Sequence, residues 1–164
     1  MILAIDPGFS GAVVILSHAA DLIFKSVMPL VGKQLDFHGL TETLSKFKIQ
    51  HCILEKAQSF PKQGVASAFN YGRHFGHLEG LVTMLKLPYT LVPPSVWTKE
   101  LHQGIEKELP SKQKSLMAVN RLFPKLDLRA NERCKIPHDG IVDALLIAEY
   151  GRRKIELCAT STIS

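Results

Sequence analysis

Four acidic residues in this sequence lie beside apolar runs, where an ionised side chain is not expected. Asp6 and Glu55 each end a short apolar run, and Asp139 and Asp143 precede a longer one at 144–148. Burying an ionised carboxylate is costly unless the charge is paired or binds a metal. Asp139 and Asp143 are four residues apart, so in a helix they share one face. The acids therefore lie either on polar surfaces or around a site that requires negative charge.

A metal site is the hypothesis that uses all four acids together. Residues at strand ends in an open α/β sheet lie where ligands bind. Carboxylates that converge repel one another unless cations lie between them, and Mg²⁺ prefers oxygen ligands. Two such ions about 4 Å apart can activate a water molecule and stabilise the leaving oxygen in phosphodiester cleavage. The pattern is thus consistent with hydrolysis of a nucleic acid.

Each acid also has an ordinary explanation. Asp6 precedes Pro-Gly and is typical of a turn, and Glu55 can be solvated at the end of its strand. Asp139 is close to a predicted helix start, where a negative charge is favourable by about 0.3–1 kcal/mol. The same explanation is weaker for Asp143, because Asp143 lies further into the predicted helix and beside core positions.

The elements that position these acids alternate between strands and helices. Apolar patterning predicts strands at 2–5, 11–16, 21–28, 52–54 and 89–92, and helices at 36–47, 65–85, 95–101, 111–122 and from His138 or Asp139 to Gly151. Ser95 and Ser111 are predicted N-caps. The first three strands are joined too tightly for anything but an antiparallel meander. The later strands have helical crossovers and should be parallel.

These patterns predict one α/β domain with a central, mixed, five-stranded sheet flanked by helices. The domain covers residues 1–151, and residues 152–164 are predicted to form a basic and then disordered C-terminal tail. A chain of 164 residues can bury a core without disulfides or metals. The longest helix, 65–85, carries glycines at 72, 76 and 80, each costing about 1 kcal/mol relative to alanine. Such spacing predicts close packing of this helix against the sheet or against a symmetry mate.

Composition narrows the classes of partner. Lys and Arg number 20 against 15 Asp and Glu, for a net charge of +5, which fits either a polyanion partner or a mildly basic soluble protein. No apolar run reaches the roughly 18 residues of a membrane span, so no membrane partner is expected. The start of the chain lacks signal-peptide character, and three widely spaced cysteines indicate a reducing compartment. The expected location is the cytoplasm or an organelle matrix, without secretion.

Three segments resemble the RuvC family of Holliday junction resolvases, within the RNase H-like superfamily. These are "ILAIDPGFSGAVVI", "ILEKAQSFPKQG" and "HDGIVDALLIAEYGRR", which carry Asp6, Glu55, Asp139 and Asp143. The resemblance covers roughly residues 1–151 and implies an RNase H-like fold. It also implies that the four acids are catalytic and hold two Mg²⁺ ions, for which Mn²⁺ can substitute. "FNYGRHFGHLEGLV" and "VPPSVWTKEL" resemble the phage and plastid branches rather than the bacterial housekeeping enzyme.

The sequence departs from the housekeeping pattern at two places. In the housekeeping enzyme the last two metal ligands are three residues apart. In this sequence the residue three before Asp143 is Gly140, which has no side chain that could bind a metal. The spacing of four residues between Asp139 and Asp143 resembles the spacing in the phage and plastid branches of the family. Either Asp139 or His138 is then the fourth metal ligand. The family's aromatic wedge position is Gln58 here, so Phe60 is the candidate for unstacking bases at the crossover. A core position for Phe60 is the alternative.

The resemblance implies a homodimer that nicks two opposed strands of a four-way DNA junction, leaving 5′-phosphate and 3′-hydroxyl ends. The glycine-bearing helix is the candidate dimer contact. Lys112 and Lys114 are predicted to hold the phosphate or stabilise developing charge, although solvated surface lysines are equally consistent. Candidate contacts to the DNA backbone are Lys56, Lys62 and Arg73.

Three other functions share parts of this pattern. "IDPGFSGA" also resembles the phosphate-binding hairpin of sugar kinases and actin-like ATPases, but those proteins need a second such domain. A nuclease of the same fold could act on other branched DNA or on RNA–DNA hybrids, because the acids would do the same chemistry on any phosphodiester. A non-catalytic junction-binding module is the third alternative, and the presence of all four acids weighs against it.

Overall fold

The computed structural model of the protein describes residues 1–32, 34–58 and 64–161. Its elements follow the predicted order of strands, a helix, a strand, a long helix, a strand and three further helices. They are β1 (Ile2–Asp6), β2 (Ala12–Leu16), β3 (Leu22–Val27), β4 (Leu30–Val31), β5 (Gln34–Leu35), α1 (Phe37–Ser45), β6 (His51–Glu55), α2 (Val65–Met84), β7 (Tyr89–Val92), α3 (Pro94–Leu101), α4 (Ser111–Leu122) and α5 (Asp139–Ser161).

The main sheet has five strands in the order β3-β2-β1-β6-β7. The pairs β1/β2 and β2/β3 are antiparallel, whereas β1/β6 and β6/β7 are parallel. The predicted mixed sheet is therefore confirmed. Ile5 of β1 pairs with Leu54 of β6, so the next residue of each strand, Asp6 and Glu55, leaves the same edge of the sheet. The register thus places two of the four acids side by side.

Helices cover both faces of the sheet, because strand residues alternate between two hydrophobic cores. Leu3 and Ile5 of β1 pack towards α1 and α2, whereas Ile2 and Ala4 pack towards α3, α4 and α5. All four of these side chains are fully buried. Since β1 lies in the middle of the sheet and is covered on both faces, Asp6 stands at the end of one of the most enclosed strands of the fold.

Helix α5 continues to Ser161 and does not end at Gly151 as predicted. Gly151 is a packing position and not a C-cap, because a Cβ atom there would lie 2.2 Å from Cγ1 of Ile53. Beyond it, ion pairs from Arg152 to Glu149 and Glu156, at 2.7 and 2.6 Å, support the continuing helix. Residues 152–161, assigned by the sequence to a basic and then disordered tail, are therefore helical.

The glycines of α2 face outwards. A Cβ atom on Gly72, Gly76 or Gly80 would have no described heavy atom within 4 Å, so the expectation that they pack against the sheet is wrong. The packing face of α2 is instead formed by His74, Leu78, Leu81 and Val82. No helix formed by the described residues is long and apolar enough to cross a membrane.

The structure also differs from the prediction in the segment after β3 and at the starts of α3 and α4. The segment from Pro29, predicted as a loop, contains the short antiparallel pair β4/β5. Helices α3 and α4 follow Pro93 and Pro110, which occupy the cap positions in place of the predicted serines. Proline has a backbone φ suited to entering a helix, so each helix begins one residue past a proline without a side-chain cap.

Candidate active site

Asp6 anchors the site from the end of β1. Its Oδ1 accepts a hydrogen bond from the backbone N of Gly8 at 3.2 Å, which fixes the side chain over the turn that leads to β2. Burial raises the pKa of Asp6 to about 6; the Gly8 hydrogen bond acts in the opposite direction, and the charge of Asp143 adds to the rise. A cation bound beside Asp6 would favour the ionised carboxylate and lower this pKa again.

Glu55 lies beside Asp6 at the end of β6. Its Oε1 accepts a hydrogen bond from the indole Nε1 of Trp97 at 2.9 Å. Burial raises the pKa of Glu55 to about 7, and the charges of Asp6 and Asp143 raise it further, while the Trp97 bond lowers it. The strand register places Glu55 beside Asp6, and Asp6 and Asp143 line one cavity, so the three acids lie in one neighbourhood.

Asp143 reaches this neighbourhood because α5 begins directly against the β1–β2 turn. A Cβ atom on Gly140 would lie 2.4 Å from the backbone oxygen of Ser10, and one on Gly11 would lie 2.1 Å from the backbone oxygen of Asp6. Only glycine permits an approach this close. Burial raises the pKa of Asp143, a hydrogen bond with Ser115 lowers it, and the charge of Asp139 raises it.

Asp139 occupies the outer side of the site. Its carboxylate forms an ion pair with Lys112 at the start of α4, and both side chains are more than half exposed. The two residues line a cavity of about 400 Å³ together with Asp6, His138 and Asp143. The Nδ1 atom of His138 is buried and has no hydrogen-bond partner among the described residues. Both alternatives for the fourth ligand, His138 and Asp139, therefore border the same cavity.

The donor chemistry of this cluster fits a hard divalent cation. Asp6, Glu55 and Asp143 supply only carboxylate oxygens; the charge of Asp143 raises the pKa of both Asp6 and Glu55, and the charge of Asp6 raises that of Glu55. Mg²⁺ would relieve that repulsion while retaining several water ligands. Within the described ranges, no three His, Cys, Asp or Glu side chains are grouped closely enough to form a complete ligand set. The chain therefore supplies suitable donors in one neighbourhood, and their role as ligands stays a prediction.

The other predicted site residues are distributed around this cluster. The Nζ of Lys114 donates to the backbone oxygen of Lys107 at 2.6 Å and borders a separate cavity between α3 and α4. Lys56 follows Glu55 directly and is exposed, and Arg73 is exposed on α2. Phe60 and Lys62 lie outside the described residues. Lys112 is thus the predicted lysine that contacts one of the acids.

Sequence reasoning missed four polar or aromatic groups that adjoin the acids. Trp97 and Ser115 are almost fully buried and hydrogen-bond Glu55 and Asp143, and His102 lies between them. Tyr71 approaches from α2: burial raises its pKa to about 12, and the charges of Glu55 and Asp6 contribute. For Tyr71 the sequence did contain a signal. Tyr71 lies three and seven residues before His74 and Leu78, which are buried, and this spacing is typical of one helix face.

Solved structures place this arrangement in a known fold. No protein-family model matches the chain, and no curated protein matches it in sequence. The structure of T. thermophilus RuvC in complex with a Holliday junction substrate matches with a TM-score of 0.63 and 19% identity, over 90% of this chain and 89% of that chain. Another Thermus thermophilus RuvC structure matches with a TM-score of 0.62 and 18% identity, over 90% of each chain. The chain is thus structurally similar to RuvC Holliday junction resolvase and has its RNase H-like fold, which confirms the fold class predicted from the sequence.

Proposed function

We propose that this protein is a metal-dependent endonuclease that resolves four-way DNA junctions by paired, symmetric nicks. The observation that carries the proposal is the convergence of Asp6, Glu55 and Asp143 at one edge of a RuvC-like sheet. Three partly buried carboxylates are costly for stability, because burial raises the pKa of each and neighbouring acids raise it further. Such a cost is typical of functional sites.

The four acids would hold two Mg²⁺ ions, with Mn²⁺ as a substitute and with His138 as the alternative to Asp139. Mg²⁺, when bound, would supply a nucleophilic water at neutral pH and charge stabilisation for the leaving oxygen, and the expected products carry 5′-phosphate and 3′-hydroxyl ends. The chain's own contribution is to hold the carboxylates in place and partly shielded from water, and a bound cation would compensate the charge that this burial disfavours. The four-residue spacing of Asp139 and Asp143 supports a place among the phage- and plastid-type members of this fold.

Basic residues around the cavity would bind the DNA backbone. Lys112 is exposed and lies at the mouth of the acidic cavity, where its ammonium group could neutralise the scissile phosphate. Lys114 would act from the adjacent cavity between α3 and α4. Lys56 and Arg73 would contact phosphates on either side, which positions DNA without reading its sequence.

The exposed face of α2 would form the contact between two copies of the chain. Val65, Phe69 and Met84 are 88%, 68% and 83% exposed, and the three outward-facing glycines lie between Phe69 and Met84 on the same side of the helix. Beside this face, a groove of about 800 Å³ between α1 and α2 is lined mostly by apolar groups, among them Phe37 and Leu81. An exposed apolar patch with small residues allows the close approach of a second helix.

Cleavage of a labelled synthetic four-way junction tests the proposal. The wild type and Asp143→Asn would be assayed with Mg²⁺, with Mn²⁺ and with EDTA, alongside a linear duplex and an RNA–DNA hybrid. Paired symmetric nicks on the junction alone, lost with EDTA and in the variant, are expected. Cleavage of every substrate would instead indicate a general nuclease of this fold. Tight junction binding without cleavage in either metal would overturn catalysis and leave a junction-binding module.

A further inference from the structure

A continuous chain of side chains connects two of the site carboxylates behind the cavity. Trp97 of α3 donates its indole Nε1–H to Oε1 of Glu55 at 2.9 Å. The Trp97 ring packs edge-to-face against His102, with centroids 6.0 Å apart and an interplanar angle of 83°. Nε2 of His102 lies 3.2 Å from Oγ of Ser115. Ser115, on α4, completes the connection, because a side-chain hydrogen bond from Ser115 lowers the pKa of Asp143.

We propose that Trp97, His102 and Ser115 form a positioning relay that fixes the carboxylates of Glu55 and Asp143 for divalent-cation binding. This inference rests on the proposed function, since it concerns the same acidic site. Trp97 and Ser115 are positioning residues: each would act on a cation only through the carboxylate that it bonds.

The donors and acceptors along the relay have a consistent order. An indole N–H can only donate, so Trp97 bonds a lone pair of Glu55. A serine hydroxyl has one proton, and when it donates to Asp143 its oxygen can only accept from His102. His102 must then carry a proton on Nε2, which a neutral ring satisfies. Burial lowers the pKa of His102, and the charges of Lys114 and Arg121 lower it further, which favours that neutral ring.

The relay has an effect that simple core packing would not have. The indole N–H holds one oxygen of Glu55 in place at 2.9 Å, and both hydrogen bonds act against the rise in pKa that burial causes. Hydrogen bonds to a charged acceptor also fix its direction. Groups that orient metal-binding side chains typically change metal affinity or activity 10- to 100-fold when they are removed.

Two substitutions remove the donors while retaining most of the packing. Trp97→Phe deletes the indole N–H and keeps an aromatic ring, and Ser115→Ala deletes only a hydroxyl. Thr98→Val is the matched control: it removes a hydroxyl on the same helix as Trp97 that donates to the backbone oxygen of Pro94 at 2.7 Å and to neither carboxylate. Urea unfolding would show that each variant is folded, and Ser115→Ala keeps the test valid if Trp97→Phe does not fold.

The primary measurement is the dissociation constant for Mn²⁺, obtained by calorimetric titration of the metal-free protein without DNA. We expect a 10-fold or larger increase for Trp97→Phe and for Ser115→Ala at neutral pH, and no change for Thr98→Val. The acid limb of the pH–rate profile for junction cleavage should also move to higher pH in both variants. A purely structural role would change the urea midpoint but neither of these quantities.

The outcomes separate the relay from the proposed function. Wild-type protein that binds Mn²⁺, with both variants equal to it in affinity and pH profile, would overturn the relay alone. Wild-type protein that neither binds Mn²⁺ nor cleaves a junction would overturn the proposed function, and the relay with it. An equal loss of affinity in Thr98→Val would also overturn the relay, because the effect would then come from general destabilisation.

Discussion

Gly140, in the first turn of α5, lies directly against the backbone of Ser10 in the β1–β2 turn. A Cβ atom at position 140 would be 2.4 Å from the Ser10 oxygen, so Gly140→Ala must push α5 away from the turn. We expect a loss of about 1–3 kcal/mol in the free energy of unfolding, as for other overpacked positions. Junction cleavage should fall further than stability explains, because Asp143 moves away from Asp6.

Gly64→Ala is the control for this substitution, since a Cβ atom at position 64 has no described atom within 4 Å. Urea unfolding and a cleavage assay on both variants provide the measurement. Wild-type stability in Gly140→Ala would contradict the close approach.

The same contact explains why the last two acids are four residues apart and not three. Position 140 faces the backbone of Ser10 and Gly11 and cannot carry a carboxylate into the cavity. We therefore expect that Gly140→Asp does not restore cleavage to an Asp139→Asn variant. Recovery of metal-dependent nicking in the double variant would show that α5 can shift to accommodate a side chain there.

The prediction of the sheet from the sequence succeeded because its strands are short apolar runs separated by turns. Asp6 and Glu55 were identified for the same reason, since each ends a buried run. Asp143 was identified because an ionised side chain is not expected beside positions of the hydrophobic core. These signals are local, and alternation between two cores reinforces them along each strand.

Groups that reach the site through tertiary packing had no such signal. Ser115 is an ordinary helical residue in the sequence, and its bond to Asp143 depends on how α4 packs on α5. The direction of the α2 glycines also could not be predicted, because a glycine stripe marks close packing equally well on either face of a helix. Gly151 was misread as a helix end, since a glycine needed for packing is identical in sequence to one needed for a cap.

The raised pKa of Glu55 gives metal-free protein a distinctive pH dependence. Folded Glu55, with a pKa of about 7 against an ordinary 4.5, retains a proton that the unfolded chain has released. The stability contribution of that proton is present below about pH 4.5 and is lost as the pH rises through 7. We expect Glu55→Gln to be more stable than the wild type at pH 8 in EDTA, by on the order of 2 kcal/mol, and to differ little at pH 4.5.

Urea unfolding at the two pH values measures this difference. Added Mg²⁺ should stabilise the wild type at pH 8 and stabilise Glu55→Gln much less, because a ligand stabilises only the state that binds it. Glu42→Gln is the control, since Glu42 is exposed and pairs with Lys46 on α1. A Glu55→Gln variant that is less stable than the wild type at pH 8 would contradict the cost of burying an ionised Glu55 beside Asp6.

Lys112 should matter more for cleavage than for stability. Its ion pair with Asp139 is exposed at the cavity mouth, and exposed pairs contribute little to folding. We expect Lys112→Met to lower kcat on a junction about 100-fold, with an unchanged urea midpoint. Lys46→Met removes a similar exposed lysine–carboxylate pair away from the site and should leave kcat unchanged. Equal kcat in the wild type and Lys112→Met would remove Lys112 from the proposed site.

The outer face of α2 can be tested without disturbing the core. Gly76→Glu places a charge in open space, so the single chain should fold normally. For the proposed dimer, we expect the dissociation constant measured by sedimentation equilibrium to rise at least 10-fold, because a buried unpaired charge opposes association. Asn120→Glu, on the exposed side of α4, is the control. An unchanged dimer in Gly76→Glu would place the contact between copies elsewhere.

The contacts of α5 with β1 and β2 have a consequence for the order of folding. The meander of β1, β2 and β3 can form early because its pairings are close in sequence, whereas Asp143 arrives only when α5 docks on the two strands. Until then, Ile2, Ala4 and Val14 remain uncovered on that face of the sheet. A ribosome-bound intermediate would thus expose apolar surface and lack the complete set of site carboxylates. Cleavage activity should appear in refolding only with the slowest phase.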